Sequence, residues 1–156
     1  MSVAFRRESD EEHKEPRFEL PLPSGPNLVT ARGLEQIGER VDALERDLAR
    51  VEGEAAEALR RDLRYWHTRR TTAQPTAAPS DGTVGFGTRV AFTLAGKPRM
   101  IEIVGDDEAE PDAGRVAFSA PLARAMLGAE EGERVAFNGR EDAIRIDEVI
   151  PLEKPA

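Results

Sequence analysis

Cysteine is absent from this sequence, which excludes disulfide frameworks, thiolate metal sites and one class of nucleophile. Histidine is nearly absent. His13 and His67 are too distant to read as a zinc pair, so His67 reads as a surface or seam-edge residue. Aromatics make up only 5%, which limits the chain to a modest aromatic core. No stretch approaches the ~20 consecutive apolar residues that span a bilayer. Arg6 and Arg7 precede Glu8, Asp10, Glu11 and Glu12 rather than the apolar run of an export signal. The expectation is a soluble cytoplasmic protein with no membrane partner. A Walker loop, a nucleophile elbow and an HExxH helix are also missing. Gly85-Phe86-Gly87 lacks the third glycine of a dinucleotide loop, and no helix follows it, so it reads as a strand-entry turn.

What is present is charge, at 33% of 156 residues, and 39% hydrophobic residues to build a core. The net charge of −8 argues against wrapping duplex DNA as a primary activity, because phosphate neutralisation needs a basic surface. The charge is unevenly spread. Arg60, Arg61, Arg64, Arg69 and Arg70 outweigh Glu54, Glu57 and Asp62 in one segment, whereas the region after Gly82 is acidic. Such asymmetry suits docking onto a charged partner.

Periodicity divides the chain. Residues 1–26, punctuated by Pro16, Pro21, Pro23 and Pro26, read as a flexible tail. Residues 27–74 read as a helical hairpin. Thr30 is a natural N-cap, and Leu34, Ile37, Val41, Leu44, Leu48 and Val51 recur at heptad spacing. Gly53 interrupts the pattern, and Ala56, Leu59, Leu63 and Trp66 form a second stripe. Neither stripe can be buried alone, so the two helices fold back antiparallel as a coiled coil. Residues 75–82 read as a linker, and 83–152 as a globular domain in which alternation replaces the helical period. Strands are expected at 84–94, 99–104, 115–118, 134–137 and 143–149. Pro121 to Gly128 reads as one short helix between the third and fourth strands. The class is α+β, with a mostly antiparallel sheet carrying one helix.

Family resemblance enters through the second half. Ile103-Val104-Gly105-Asp106-Asp107-Glu108, then Ser119-Ala120-Pro121-Leu122-Ala123-Arg124-Ala125-Met126-Leu127-Gly128, then Glu131-Gly132-Glu133 resembles the C-terminal domain of the Gre transcript cleavage factors. Leu28-Val29-Thr30 with Gly33-Leu34 looks like that family's first-helix opening. Arg60-Arg61 with Leu63-Arg64-Tyr65-Trp66 resembles its returning helix. The resemblance implies an FKBP-like globule and a hairpin that enters the secondary channel of RNA polymerase, as a monomer. It further implies that Asp106, Asp107, Glu108, Ser119, Pro121 and Arg124 meet the polymerase, while on their own Leu122, Met126 and Leu127 read as core residues of the short helix. Arg60, Arg61, Arg64 and Arg69 would face acidic channel walls, nascent RNA or DNA.

Two departures shape the expected activity. The family's acidic tip motif is missing; the turn reads Ala49-Arg50-Val51-Glu52-Gly53-Glu54-Ala55-Ala56-Glu57. The arm is also short, since residues 31–52 span only ~33 Å and a tip two helical turns short would miss its target by ~10 Å. No cofactor is expected, and magnesium only if Glu52, Glu54 and Glu57 act at the polymerase active site. The expectation is therefore an accessory factor, not itself an enzyme. It would resemble the short-armed Rnk-type relatives and occupy the channel without stimulating cleavage. An active cleavage factor with a rebuilt tip is the alternative. From other classes come a prolyl isomerase, disfavoured because no Trp or Tyr follows Gly82, and a coiled-coil adaptor. In a milder departure, Ala120 stands where the family prefers serine, with Ser119 placed to supply the helix cap instead.

Overall fold

The computed structural model describes residues 19–153, so the part of the expected tail before residue 19 lies outside the described residues. The fold is α+β. In chain order it contains β1 (Leu28–Val29), α1 (Ala31–Leu48), α2 (Glu54–Thr72), β2 (Gln74–Pro75), β3 (Thr88–Leu94), β4 (Lys97–Val104), β5 (Arg115–Ala117), α3 (Pro121–Met126), β6 (Arg134–Phe137) and β7 (Arg140–Pro151). A 3-10 turn, Pro111–Ala113, leads into β5. Two compact units emerge among the described residues: one holds 37–72 with 19–25, the other holds 26–36 with 73–153.

In the first unit α1 and α2 form the hairpin that the two stripes require. Ile37, Val41, Leu44 and Ala56 are buried along the seam. Gly53 makes the turn at φ +70, a left-handed conformation that costs a residue with a Cβ far more than it costs glycine. The helices face each other through Arg40, whose guanidinium lies 5.9 Å from the centroid of the Trp66 ring, and through His67 and Glu45 at 3.5 Å.

The second unit is a five-stranded sheet in the order β5-β4-β3-β7-β6. Three of its pairings are antiparallel, and only β4–β5 is parallel. Alternation along β3 and β7 sends Val90, Phe92, Ile144 and Ile146 to one face, where they pack with Ile103, Ala123 and Met126. Each large apolar side chain among them contributes ~1.5–3 kcal/mol by leaving water. The strand expected from Val84 begins only at Thr88, because Gly85-Phe86-Gly87 is the entry turn, closed by the Thr88 N–H donating to the Gly85 carbonyl at 3.3 Å. The β6–β7 turn, Asn138-Gly139, has both residues at positive φ, which matches the right-handed twist of the flanking strands.

A register shift between Ala91 and Phe92 leaves Asp147 as the extra residue of a bulge in β7. Its carboxylate accepts the Thr93 hydroxyl and the Arg145 Nε–H, each at 2.7 Å. These bonds, Thr93's first and Arg145's second, hold the Asp147 carboxyl below the ordinary aspartate range. A depressed folded-state value means a contribution fully present above the ordinary aspartate value and lost as pH falls through the depressed one. A carboxyl-carbon NMR titration should give Asp147 a midpoint below that of an unstructured aspartate. Thr93→Val should raise it; an unchanged midpoint in that variant would mean the hydroxyl is not the cause.

Candidate functional site

Four regions carry the residues singled out above. The first is the hairpin tip. α1 ends at Leu48, four residues before Glu52, and the Arg50 N–H donates to the Asp47 carbonyl at 3.1 Å as the chain turns. Glu52, Glu54 and Glu57 are all exposed, and Glu57 lies 2.5 Å from the Arg60 guanidinium. Glu54 and Glu57 sit in the first turn of α2, where the helix dipole favours anions. Among the described residues no three histidine or carboxylate side chains converge as a metal-binding group.

The second region is the arginine face of α2, which is less basic in space than in sequence. Arg60 is paired with Glu57, and Arg64 lies 2.7 Å from Glu19. Arg61 is half-buried beside Asp62 at 3.8 Å. Arg69 is buried at 4% exposure, so the residue expected to face nucleic acid is instead folded inward. Arg60 and Arg64 remain exposed.

The third region is the acidic loop after β4, and it points inward. Asp106 accepts the Ser119 hydroxyl at 2.6 Å. Ser119 therefore ties the two loops together and does not cap α3; Ala120 is the N-cap, without any side-chain bond, and Pro121 supplies the pre-set first turn. Glu108 is buried at 8% exposure and accepts the Thr30 hydroxyl at 2.7 Å, with Arg32 at 3.7 Å. Thr30 in turn accepts the Gly33 N–H at 2.9 Å, which is the expected N-cap. No acid lies in the first turn of α1 itself. Glu108 and Glu153 bring their charge there through space, Glu153 accepting the Ala31 N–H at 2.7 Å. Glu108 thus anchors the helix start; expected as a partner contact, it has its carboxylate already engaged. Asp106 and Asp107 are half-buried.

The fourth region is α3. Ala123 and Met126 are buried in the core and Leu122 packs against it. Leu127, expected in the core, is 43% exposed because the helix ends at Met126 and the chain leaves it extended. Ser119, Pro121 and Arg124 are exposed beside it. Together they form a surface ridge of mixed apolar and cationic character.

Residues 79–151 match the family described as transcription elongation factor, GreA/GreB, C-terminal. Transcription elongation factor GreA of Pseudomonas putida is 34% identical over 138 residues, which cover 86% of this chain and 84% of that protein. GreA of Pseudomonas aeruginosa is 31% identical over 137 residues, covering 86% and 85%. Among solved structures, GreA factor homolog 1 of Thermus thermophilus aligns over 81% of this chain and 99% of its own, at 14% identity and a TM-score of 0.39.

Proposed function

Because the chain belongs to the GreA/GreB family of transcription elongation factors, we propose that it binds RNA polymerase at the secondary channel and regulates elongation without stimulating transcript cleavage. It is then an accessory factor in the cytoplasm, not an enzyme, and needs no cofactor of its own. The ridge of Ser119, Pro121, Arg124 and Leu127 supports a docking role, since an exposed leucine flanked by a proline and a cation offers apolar area with a steering charge. Arg60 and Arg64, exposed though paired, are the candidates for contact with RNA, DNA or acidic channel walls.

The hairpin tip carries the negative half of the proposal. At 1.5 Å per residue the 18 residues of α1 give an arm of ~27 Å, shorter than the ~33 Å its stripe suggested. A second metal at a polymerase active site needs carboxylates delivered at the right depth. The tip acids fit that task poorly: Glu57 is held by Arg60, and Glu52 and Glu54 flank the turn without a third ligand beside them among the described residues.

Two measurements on one preparation test this. Binding to core RNA polymerase should be direct, and Arg124→Glu should weaken it by at least about tenfold if the ridge is the contact. Stalled elongation complexes should show no more RNA cleavage with the protein than without it. Robust cleavage that disappears in Glu52→Ala or Glu54→Ala would establish the rebuilt-tip alternative, and failure to bind polymerase would favour a coiled-coil adaptor.

A further inference from the structure

We propose that the cavity between the two turns at one end of the sheet, walled by Arg134, Arg140 and Arg145, binds a phosphoryl anion. The cavity has a volume of about 640 Å³, within the range of small-ligand sites, and lies wholly inside the second unit. Strand register builds it. Arg134 of β6 stands directly opposite Arg145 of β7, and Arg145 stands directly opposite Thr93 of β3. The three therefore form one rung on the solvent face of adjacent strands, opposite Cβ atoms lying roughly 5 Å apart.

Two like charges directly opposed across an antiparallel pair are destabilising unless something neutralises them. Arg145 has its neutraliser in Asp147, and its second amino group donates to Thr93 at 3.2 Å. The guanidinium is thereby fixed in place with further N–H groups unused. The Arg134 side chain makes no hydrogen bond or ion pair among the described residues, and neither does that of Arg140 at the start of β7. Glu141 and Asp142 also line the cavity, yet among the described residues no ion pair joins either to any of the three arginines. An acidic chain thus gathers three guanidiniums around one cavity, two of them without an ion pair among the described residues, with Glu141 and Asp142 in the same lining. Their free N–H donors suit an anion that offers several acceptor oxygens at once. Planar guanidinium forks match phosphoryl oxygens bidentately, and a phosphoryl group carries about two charges near neutral pH, where a carboxylate carries one.

Such charge could come from a free polyphosphate or from successive phosphodiesters of an RNA strand, each carrying one charge, and the test separates them. The full chain would be titrated with inorganic pyrophosphate at constant ionic strength while the arginine Nε–H and backbone amide signals are followed by NMR. Saturating shifts are expected for Arg134, Arg140 and Arg145 and for residues 93–96. Arg134→Gln and Arg140→Gln, both at exposed positions, should each weaken binding at least about tenfold and leave the remaining spectrum in place. A single-stranded oligoribonucleotide that shifts the same signals at lower concentration than pyrophosphate assigns the site to a phosphodiester; the reverse order assigns it to a free polyphosphate. Shifts that never saturate, equal shifts at Arg89, Arg99 and Arg124, or full affinity in both variants would overturn the proposal.

Discussion

Gly105→Ala is expected to lower the stability of the second unit by about 3 kcal/mol, at the upper end of what overpacking a well-packed site costs. A Cβ at residue 105 would lie 2.3 Å from the Leu28 carbonyl oxygen and 3.5 Å from its carbon. The obstacle is backbone, which cannot rotate aside as a side chain can. Leu28 itself is held in β1, paired in parallel with Gln74, so moving it also disturbs the β1–β2 bridge. Gly105 is therefore glycine for reasons of space, where the end of β4 passes against β1, since its φ is not in the left-handed region. Calorimetry of the full chain should show the transition of this unit fall by roughly 12–24 °C. Gly38→Ala is the matched control. It sits in the interior of α1 with nothing within 4 Å of an added Cβ, so alanine should be neutral or stabilise by up to about 1 kcal/mol. Equal melting of Gly105→Ala and the parent would show that β1 yields without cost.

That glycine also marks where sequence reasoning reached its limit. Ile103-Val104-Gly105 carried the family resemblance, but the reason for its glycine lies in a strand two residues long and far away along the chain. Strands as short as Leu28–Val29 and Gln74–Pro75 contain no alternation to read. By contrast the seam of α1 was legible because apolar residues recurring at heptad spacing leave few other folds, and Ile37, Val41 and Leu44 are buried as that spacing requires. The strands of the main sheet were legible through alternation, and their ends shifted by the few residues that turns absorb: β3 starts late behind its entry turn, and β7 extends to Pro151.

The candidate site was read less well, for one physical reason. Charge in a sequence says nothing about direction. Asp106, Asp107 and Glu108 look like a solvated acidic loop until Ser119 and Thr30 are placed beside them. Arg69 looks like one more arginine on a basic face until its burial is known. Arg134 and Arg145 are well separated along the chain, and only the register of β6 on β7 makes them opposite. Leu127 follows the helical period of Ala123 and Met126 closely enough to suggest the core, but the helix stops one residue earlier.

Glu108→Ala is the second large effect, at about 2–3 kcal/mol, and its size comes from what it abandons more than from what it removes. The Thr30 hydroxyl is buried and divided between two tasks, accepting the Gly33 N–H and donating to Glu108. Without the carboxylate that donor has no partner, and the first turn of α1 loses one of the two acids that complement its dipole. Arg32 adds little, because it is 52% exposed and its attraction is screened. Glu108→Gln separates these contributions. It preserves volume and an acceptor for Thr30 while deleting the charge, so it should cost about 1 kcal/mol and keep the helix start protected from hydrogen exchange. Thr30→Val removes the donor and the cap together, so combining it with Glu108→Ala should cost well under the sum of the two single changes. Strict additivity in that cycle would mean the hydroxyl and the carboxylate act independently, and Glu108 would then be a buried charge without a role in starting the helix.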